Sequence, residues 1–478
     1  MHKGSERVDF LEKYFKIKEN NSTIQTEIIA GITTFFAMAY IVLVAPNQLT
    51  GFSAEHQAVW NAVYVASILV AVIGTLLMAF YAKMPFAQAC GMGLLSVFSV
   101  CFMLPQIVTG GDVEAGYQAG LVIVFLSGIL FLILSVTGIR EYIARSIPDC
   151  IKKSMAAGIG LFIAFIGFQN VGIIQDNPYT LTQFVDIHGA IVGESGIIAA
   201  MPAILALLGF FLIAILEKRR IKGGVMIGIV AITILYYICL GTVPNMEMGQ
   251  IGQSLRDFKE IGFLAILNPD AWKNAFSVEY VGGLINGIIY VFVFCLVNMF
   301  DTVGTLYGVA SQADMLDEKG DPINLGKAMT CDSLATVASG ILGTSTASSY
   351  VEASAGVAAG GRTGMTSLVT ALCFAACLFL APLASIVPAC ATAPALIYVG
   401  VLMLGNIRSV DFSDLESAVP AFLTMIMMPL SYSIANGIGI GCISYVLIRL
   451  GSGKFEKKDL IVIIIALLFV LKFATISM

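Results

Sequence analysis

Two carboxylic acids stand where carboxylic acids are costly. Asp301 closes the apolar run VFVFCLVNMF and opens the motif FDTVGTL (300–306 with Phe300), and Glu352 lies inside SSYVEASAG (348–356). An acid at the centre of a membrane helix costs roughly 2.5 to 3.5 kcal/mol on insertion scales, so a chain that keeps one there uses it. Such a group can take up and release a proton, or accept hydrogen bonds from a ligand. The two together suit a neutral ligand rich in N–H donors, one acid accepting from the ligand and the other coupled to a proton; an anion would be repelled. The blander roles are a helix cap at Thr302 and Thr305 for Asp301, and a bond to neighbouring Ser and Thr hydroxyls for Glu352. Lys327, Asp332 and Arg362 lie near segment ends and read as loop or gate contacts.

Other chemistry is excluded by what surrounds these acids. The histidines are His2, His56 and His188, all in the tail or in polar loops, so no Ser/His/Asp triad or histidine relay sits in an apolar run. The stretch AGVAAGGRTG (355–364) lacks the Gly-Lys-Ser/Thr ending of a phosphate loop. The ten cysteines include no CxxC pair and fall mostly in apolar runs, where they act as small packing residues. No metal, cofactor or disulfide framework is implied, and nothing marks an enzyme or the charged ring of a channel.

The elements that must position Asp301 and Glu352 are membrane helices. Of 478 residues 58% are hydrophobic and 12% charged, against about a quarter charged in an average soluble protein, and mean hydropathy is +0.90. The net charge of -5 says nothing of nucleic acid. Apolar runs fall at about 26–47, 61–82, 87–103, 117–138, 152–173, 196–216, 222–242, 280–303, 327–343, 346–360, 364–387 and 390–406. A stretch at 418–450 is too long for one span and is interrupted by Ser431, Ser433, Asn436 and Gly437, which splits it in two and makes fourteen segments. A final run, 459–476, could cross or lie at the interface. The start of the chain, MHKGSERVDFLEKYFKIKEN, has no apolar core and does not read as a signal peptide. Lys and Arg crowd the N-terminal tail and alternate loops, while 48–60, 104–116 and 174–195 contain none, which places the N-terminus in the cytoplasm. The loop 243–279 is expected outside despite its basic residues.

Two of the fourteen make poor helices. AQACGMGLLSVFS (87–99) and TSTASSYVEASAGVAAGGRTG (344–364) are crowded with Gly, Ser, Thr and Ala, and glycine weakens a helix interior by about 1 kcal/mol against alanine. They read either as close-packing helices or as broken, half-extended segments whose free backbone groups hold a ligand; paired interruptions in two halves point to a transporter site. They are the third and tenth segments. Each half goes on, after one further span, to a Pro-led helix rich in small residues (146–167 and 385–406). A repeat of seven segments must be inverted in the membrane.

Several motifs resemble a known group. TEIIAGITTFFAMAYIVLVAPNQL (26–49), CGMGLLSVFS (90–99), REYIARSIP (140–148), AAGIGLFIAFIG (156–167), FDTVGTLYGVA (300–310), SLATVASGILGTSTASSYVEASAGVAAGGRTGMT (333–366) and PAFLTMIMMPLSYSIANGIGIG (420–441) are similar to the AzgA-like purine (guanine/hypoxanthine/adenine) permeases. These belong to the nucleobase–cation symporter-2, or xanthine/uracil permease, family. The resemblance covers nearly the whole chain in order. It implies an all-α polytopic membrane protein of 14 transmembrane segments in a 7+7 inverted repeat, with core and gate domains and with segments 3 and 10 partly extended. On this chain that gives a tail 1–25, a core at 26–138 and 280–387, a gate at 139–243 and 388–450, an external loop 244–279 and a C-terminal segment 451–478.

The resemblance also implies a plasma-membrane homodimer that takes up a purine base with a proton, or with Na+, by an elevator-like movement. Asp301 would serve proton coupling and substrate binding, and Glu352 would bond the base and share in the coupling. Gly91 and Gly93 would bring backbone close to the ligand, with Ala89, Leu95, Ser349 and Val351 lining the same place. One departure bears on the substrate. Where the family reads Ala-Pro-Gly-Met-Gly-Leu-Asn-Ala, this chain has Cys90 for the Pro, Leu95 for the Asn and Ser96 for the Ala. A polar amide beside the site is absent, which leaves open which base is carried and keeps a pyrimidine or related heterocycle as the alternative.

Overall fold

The structure is a computed structural model that describes residues 12–475 apart from 51–55, 138–147, 178, 193–196, 222, 243–249, 313–314, 317–321, 351, 381–385, 432–433 and 455–459. It is mostly helical. Seven helices among the described residues are long and apolar enough to cross a membrane, and five more apolar helices are shorter. Their outer faces are those of a protein solvated by lipid: Leu208, Phe211 and Ile215, and Ile227, Val230, Ile234 and Ile238, lie exposed at helical spacing, where a water-soluble chain would bury such stripes.

The chain divides into two compact units. The first comprises Met1–Val136, Arg220–Met226 and Asn245–Ile386, and the second Thr137–Arg219, Ile227–Pro244 and Val387–Met478. In the first unit α1 (Ile24–Met38) and α2 (Ile41–Leu49) form a span broken at Ala39–Tyr40. Thr23 caps α1 by accepting the Thr26 N–H at 3.1 Å. The helix turns Ile28, Ile29, Ile32 and Phe36 outward and buries Glu27, Ala30, Gly31, Thr33 and Thr34, an inversion expected where the outside is apolar. The unit continues through α3 (Gln57–Leu77), strand β1 (Gln88–Cys90), α4 (Met92–Phe98) and α5 (Val113–Thr137). After Asn245 come α6 (Leu284–Gln312), α7 (Leu325–Leu342), strand β2 (Ala347–Ser349), α8 (Ala353–Ala358) and α9 (Gly364–Ala376). The core packs α3 against α7, α9 and β1, and α1 against α8 and α9. Gly356 of α8 makes the last approach possible, since a Cβ there would stand 2.7 Å from the Ala30 carbonyl oxygen.

In the second unit Asp149–Asn170 packs on Ala389–Met403 and on Leu415–Leu430. Gly160 and Gly400 face each other there, and a Cβ on Gly160 would lie 2.8 Å from the Gly400 carbonyl oxygen, the small-residue contact that membrane helices use in place of a hydrophobic drive.

Of the two forms read for the weak segments, both take the broken, half-extended one: 346–360 forms a strand, a turn and a six-residue helix, and 87–103 likewise begins as a strand. Polar loops also hold structure that hydropathy does not encode. Within 174–195 a hairpin pairs Ile174–Asn177 with Leu181–Phe184, and the loop 243–279 contains the helices Gln250–Asp257 and Pro269–Ala275. The stretch 418–450 does split, into Leu415–Leu430 and Ile434–Gly451, with the break at Ser431. Ser433 and most of REYIARSIP lie outside the described residues, while Asn436 and Gly437 sit within the second helix. The final run is the helix Leu460–Thr475, whose Phe469 ring lies over Gly439.

Candidate functional site

The two weak segments meet. β1 and β2 pair antiparallel, with Gln88 opposite Ser349, Ala89 opposite Ser348 and Cys90 opposite Ala347. Backbone bonds extend the pair at both ends, Gly91 N–H to the Thr346 oxygen at 2.8 Å and Tyr350 N–H to the Ala87 oxygen at 3.1 Å. All six strand residues are buried, a setting in which non-helical backbone is tolerated at membrane depth. Each strand runs into a helix. α4 starts after Gly91, and α8 starts after Glu352, so the first turns of two helices flank the strand pair from opposite ends.

Three acids, Asp301, Asp332 and Glu352, stand at this crossover and a fourth, Glu27, lies at the start of α1, and their exposure separates them into two kinds. Asp332 and Glu27 are fully enclosed, at 0% exposure. Asp301 and Glu352 are only half-buried.

Asp332, on α7, is saturated with protein donors. It accepts from the Gln88 amide, the Thr302 hydroxyl, the Ser349 hydroxyl at 3.0 Å and the Ser349 N–H at 3.3 Å. One carboxylate thereby ties β1, β2, α6 and α7 together. Next to it, the Thr336 hydroxyl donates to the Ala347 oxygen at 3.1 Å and receives the Asn298 amide at 2.8 Å. The reading of Asp332 as a loop or gate contact is therefore corrected: it sits well inside a helix and under the strands.

Glu27 plays the same part for α9. It accepts the N–H groups of Arg362 (3.0 Å), Thr363 (3.3 Å) and Thr366 (3.2 Å) and the Thr366 hydroxyl (2.6 Å), which caps α9 from another helix. A negative charge at a helix N-terminus is favoured by the dipole as well. Arg362 is also a turn contact: its guanidinium donates to the Val357 and Gly361 oxygens at 2.7 and 2.8 Å, while Lys327 stands in the first turn of α7. Glu27→Ala leaves four donors unpaired at roughly 1 kcal/mol or more each. A drop of several degrees in the melting midpoint of the solubilised protein is the expected result, read by tryptophan fluorescence; an unchanged midpoint would contradict the cap.

The two half-buried acids have other surroundings. Asp301 stands on α6 with the Ser348 hydroxyl in hydrogen-bonding reach. Neighbouring strand residues face opposite ways, so Ser348 turns to Asp301 while Ser349 serves Asp332. Glu352 accepts the Tyr40 hydroxyl at 2.6 Å, and Tyr40 is held at the break between α1 and α2.

The expected site residues are thus largely brought together. Asp301, Glu352, Ala89, Gly91 and Gly93 are at the crossover; Gly93 is half-buried in the first turn of α4, and Leu95 is fully buried one turn on. The hydroxyl of Ser349 is committed to Asp332. Val351 lies outside the described residues. Tyr40, Glu27, Asp332 and Ser348 were not singled out as site residues. For Asp332 a signal existed, an acid seven residues inside an otherwise small and apolar helix.

Comparison with known proteins gives the family. A family model described as "Permease family" matches residues 25–440. The adenine permease AdeP of Escherichia coli (strain K12) is 38% identical over 463 residues, covering 97% of this chain and 95% of that protein. The guanine/hypoxanthine permease PbuG of Bacillus subtilis (strain 168) is 38% identical over 471 residues, covering 97% and 99%. Among solved structures, the transmembrane domain of the cyanobacterium bicarbonate transporter BicA matches with a TM-score of 0.60 at 16% identity, over 87% of this chain and 97% of that one, which shows a shared fold. On the strand crossover, the motifs and these full-length relatives, the chain belongs to the xanthine/uracil permease family, within the AzgA-like group of purine permeases.

Proposed function

We propose that this protein takes up a purine nucleobase, one of adenine, guanine or hypoxanthine, together with a proton. The observation that carries the reading is the pair of half-buried acids, Asp301 and Glu352, at the strand crossover. A purine presents N–H groups along its edge and no charge, so it matches carboxylate acceptors and backbone groups at the ends of β1 and β2. Glu352 accepts from the base, and Asp301 carries the proton and bonds the base when filled. The full-length relatives named for adenine and guanine/hypoxanthine support the substrate class.

In this reading the first unit is the core and the second the gate, in fourteen segments of inverted seven. The core moves in an elevator-like manner, and the protein works as a homodimer in the plasma membrane with its N-terminus in the cytoplasm. Leu95, apolar and buried beside Gly93, favours one second reading, a pyrimidine or related heterocycle on the same scaffold.

The test is uptake of labelled purines by cells that lack their own permeases. The expected result is saturable uptake of at least one purine that collapses when a protonophore dissipates the gradient. Uptake indifferent to the protonophore would remove the proton, and saturable uptake of pyrimidines alone would favour the second reading.

A further inference from the structure

The first turn of α4 is approached from the side by a group that the proposed mechanism does not use. Gln48, near the end of α2, is 2% exposed. Its amide nitrogen donates to the Met92 oxygen at 3.3 Å and to the Ser96 hydroxyl, and Ser96 in turn donates to the Met92 oxygen at 3.2 Å. Both donor positions of the carboxamide are thus occupied by the turn that follows Gly91. The carboxamide oxygen is different: it is buried and accepts no hydrogen bond. A buried acceptor left without a donor is costly, and a ligand that donates there removes the cost. The contact to the Met92 oxygen fixes which end of the amide is which, because a flipped amide would set two oxygens against each other.

The neighbouring residues narrow what that donor is. Leu95, one position before Ser96, is fully buried and apolar and offers no hydrogen bond. Gln48 therefore brings a carboxamide to a turn of α4 that has none of its own. The same short helix α2 begins beside Tyr40, the partner of Glu352, so it reaches from the start of α8 to the first turn of α4. A base seated between those two helix starts, as the proposed function has it, would have Glu352 at one side and the Gln48 carboxamide at the other.

We propose that Gln48, held in place by Ser96, is a specificity-determining residue that selects a purine bearing an amino group on C6, adenine, by accepting that group's N–H. This rests on the nucleobase reading above. The C6 oxo group of guanine or hypoxanthine at the same place would set oxygen against oxygen, so adenine is favoured over both.

The experiment is competition binding on the purified full-length protein, with adenine, guanine and hypoxanthine measured on the wild type, Gln48→Leu and Ser96→Ala. Gln48→Leu is expected to weaken adenine about tenfold, the loss of one buried hydrogen bond, and guanine and hypoxanthine by less than about threefold. Ser96→Ala, which frees the amide without removing it, is expected to narrow the same ratio by a smaller factor. It carries the same readout if Gln48→Leu does not survive solubilisation. A parallel loss for all three bases, as a purely structural role would give, overturns the inference, as does an unchanged ratio in both variants. In either of those cases the nucleobase reading stands. A wild type that binds none of the three overturns the nucleobase reading and this inference with it.

Discussion

Asp332→Ala is expected to abolish uptake and to lower the thermal stability of the solubilised protein. The side chain is enclosed, and its removal strands the Gln88 amide, the Thr302 and Ser349 hydroxyls and the Ser349 N–H. Each unpaired buried donor costs roughly 1 to 3 kcal/mol, so the sum reaches several kcal/mol, a large part of the 5 to 15 kcal/mol that about holds a folded domain together. The damage is not confined to stability. Gln88 and Ser349 are opposite partners in the strand pair, and Thr302 is the neighbour of Asp301, so the crossover loses its register when the carboxylate is gone. Asp332→Asn keeps one acceptor oxygen and replaces the other by a donor facing donors; it is expected to fall between the wild type and the alanine variant on both measures. Thermal melting monitored by size-exclusion fluorescence, with uptake on the same variants, checks this. Uptake by Asp332→Ala within about twofold of wild type, a change of under ~0.5 kcal/mol, would contradict the role given to Asp332.

Glu352→Ala is expected to behave in the opposite way, folding normally and failing to bind. Glu352 is half-buried, stands just before a short helix and receives the Tyr40 hydroxyl at 2.6 Å. A hydrogen bond to a charged group is worth roughly 1.5 to 3 kcal/mol, so losing two from a base weakens binding about 100-fold or more. Tyr40→Phe removes only the group that orients the acid, and a loss of about tenfold is expected. The check is equilibrium binding of labelled purine to purified variants beside their melting midpoints. Unaltered affinity in Glu352→Ala, or a stability loss as large as that of Asp332→Ala, would contradict the division between ligand-facing and enclosed acids.

That division also marks what could be read from the sequence. Asp301 and Glu352 were legible because an acid in an apolar or small-residue run is conspicuous without any partner. Gly91 and the Ser- and Gly-rich run ending at Arg362 were legible because such residues weaken helices wherever they occur. Glu27, Tyr40 and Gln48 were not. Glu27 sits one turn into an ordinary helix start, where an acid is unremarkable, and its meaning comes from Thr366, more than 300 residues away in the chain. Tyr40 acquires its role only through an equally remote Glu352. Membrane helices were legible from hydropathy alone, whereas the hairpin at 174–184 and the helices at 250–275 lie in polar stretches, where turn chemistry and tertiary contact decide and periodicity is weak. The Asp257 carboxylate illustrates this, accepting from Asn61 at 2.7 Å across a separation that no local pattern reports.

The crossover also shows why two poor helices are kept. Continuous helices at 87–99 and 344–360 would satisfy every backbone group internally and leave none for a ligand. Strands only three residues long satisfy each other and end on helix starts, so polar backbone is presented at depth without exposing it to lipid.

The most direct test of the nucleobase site is an experimental structure of the full-length protein with adenine bound. The expected result is ligand density between residues 89–96 and 348–353, with the Glu352 carboxylate in hydrogen-bonding contact with the base. Density elsewhere, or a base bound there without contact to Glu352, would contradict it.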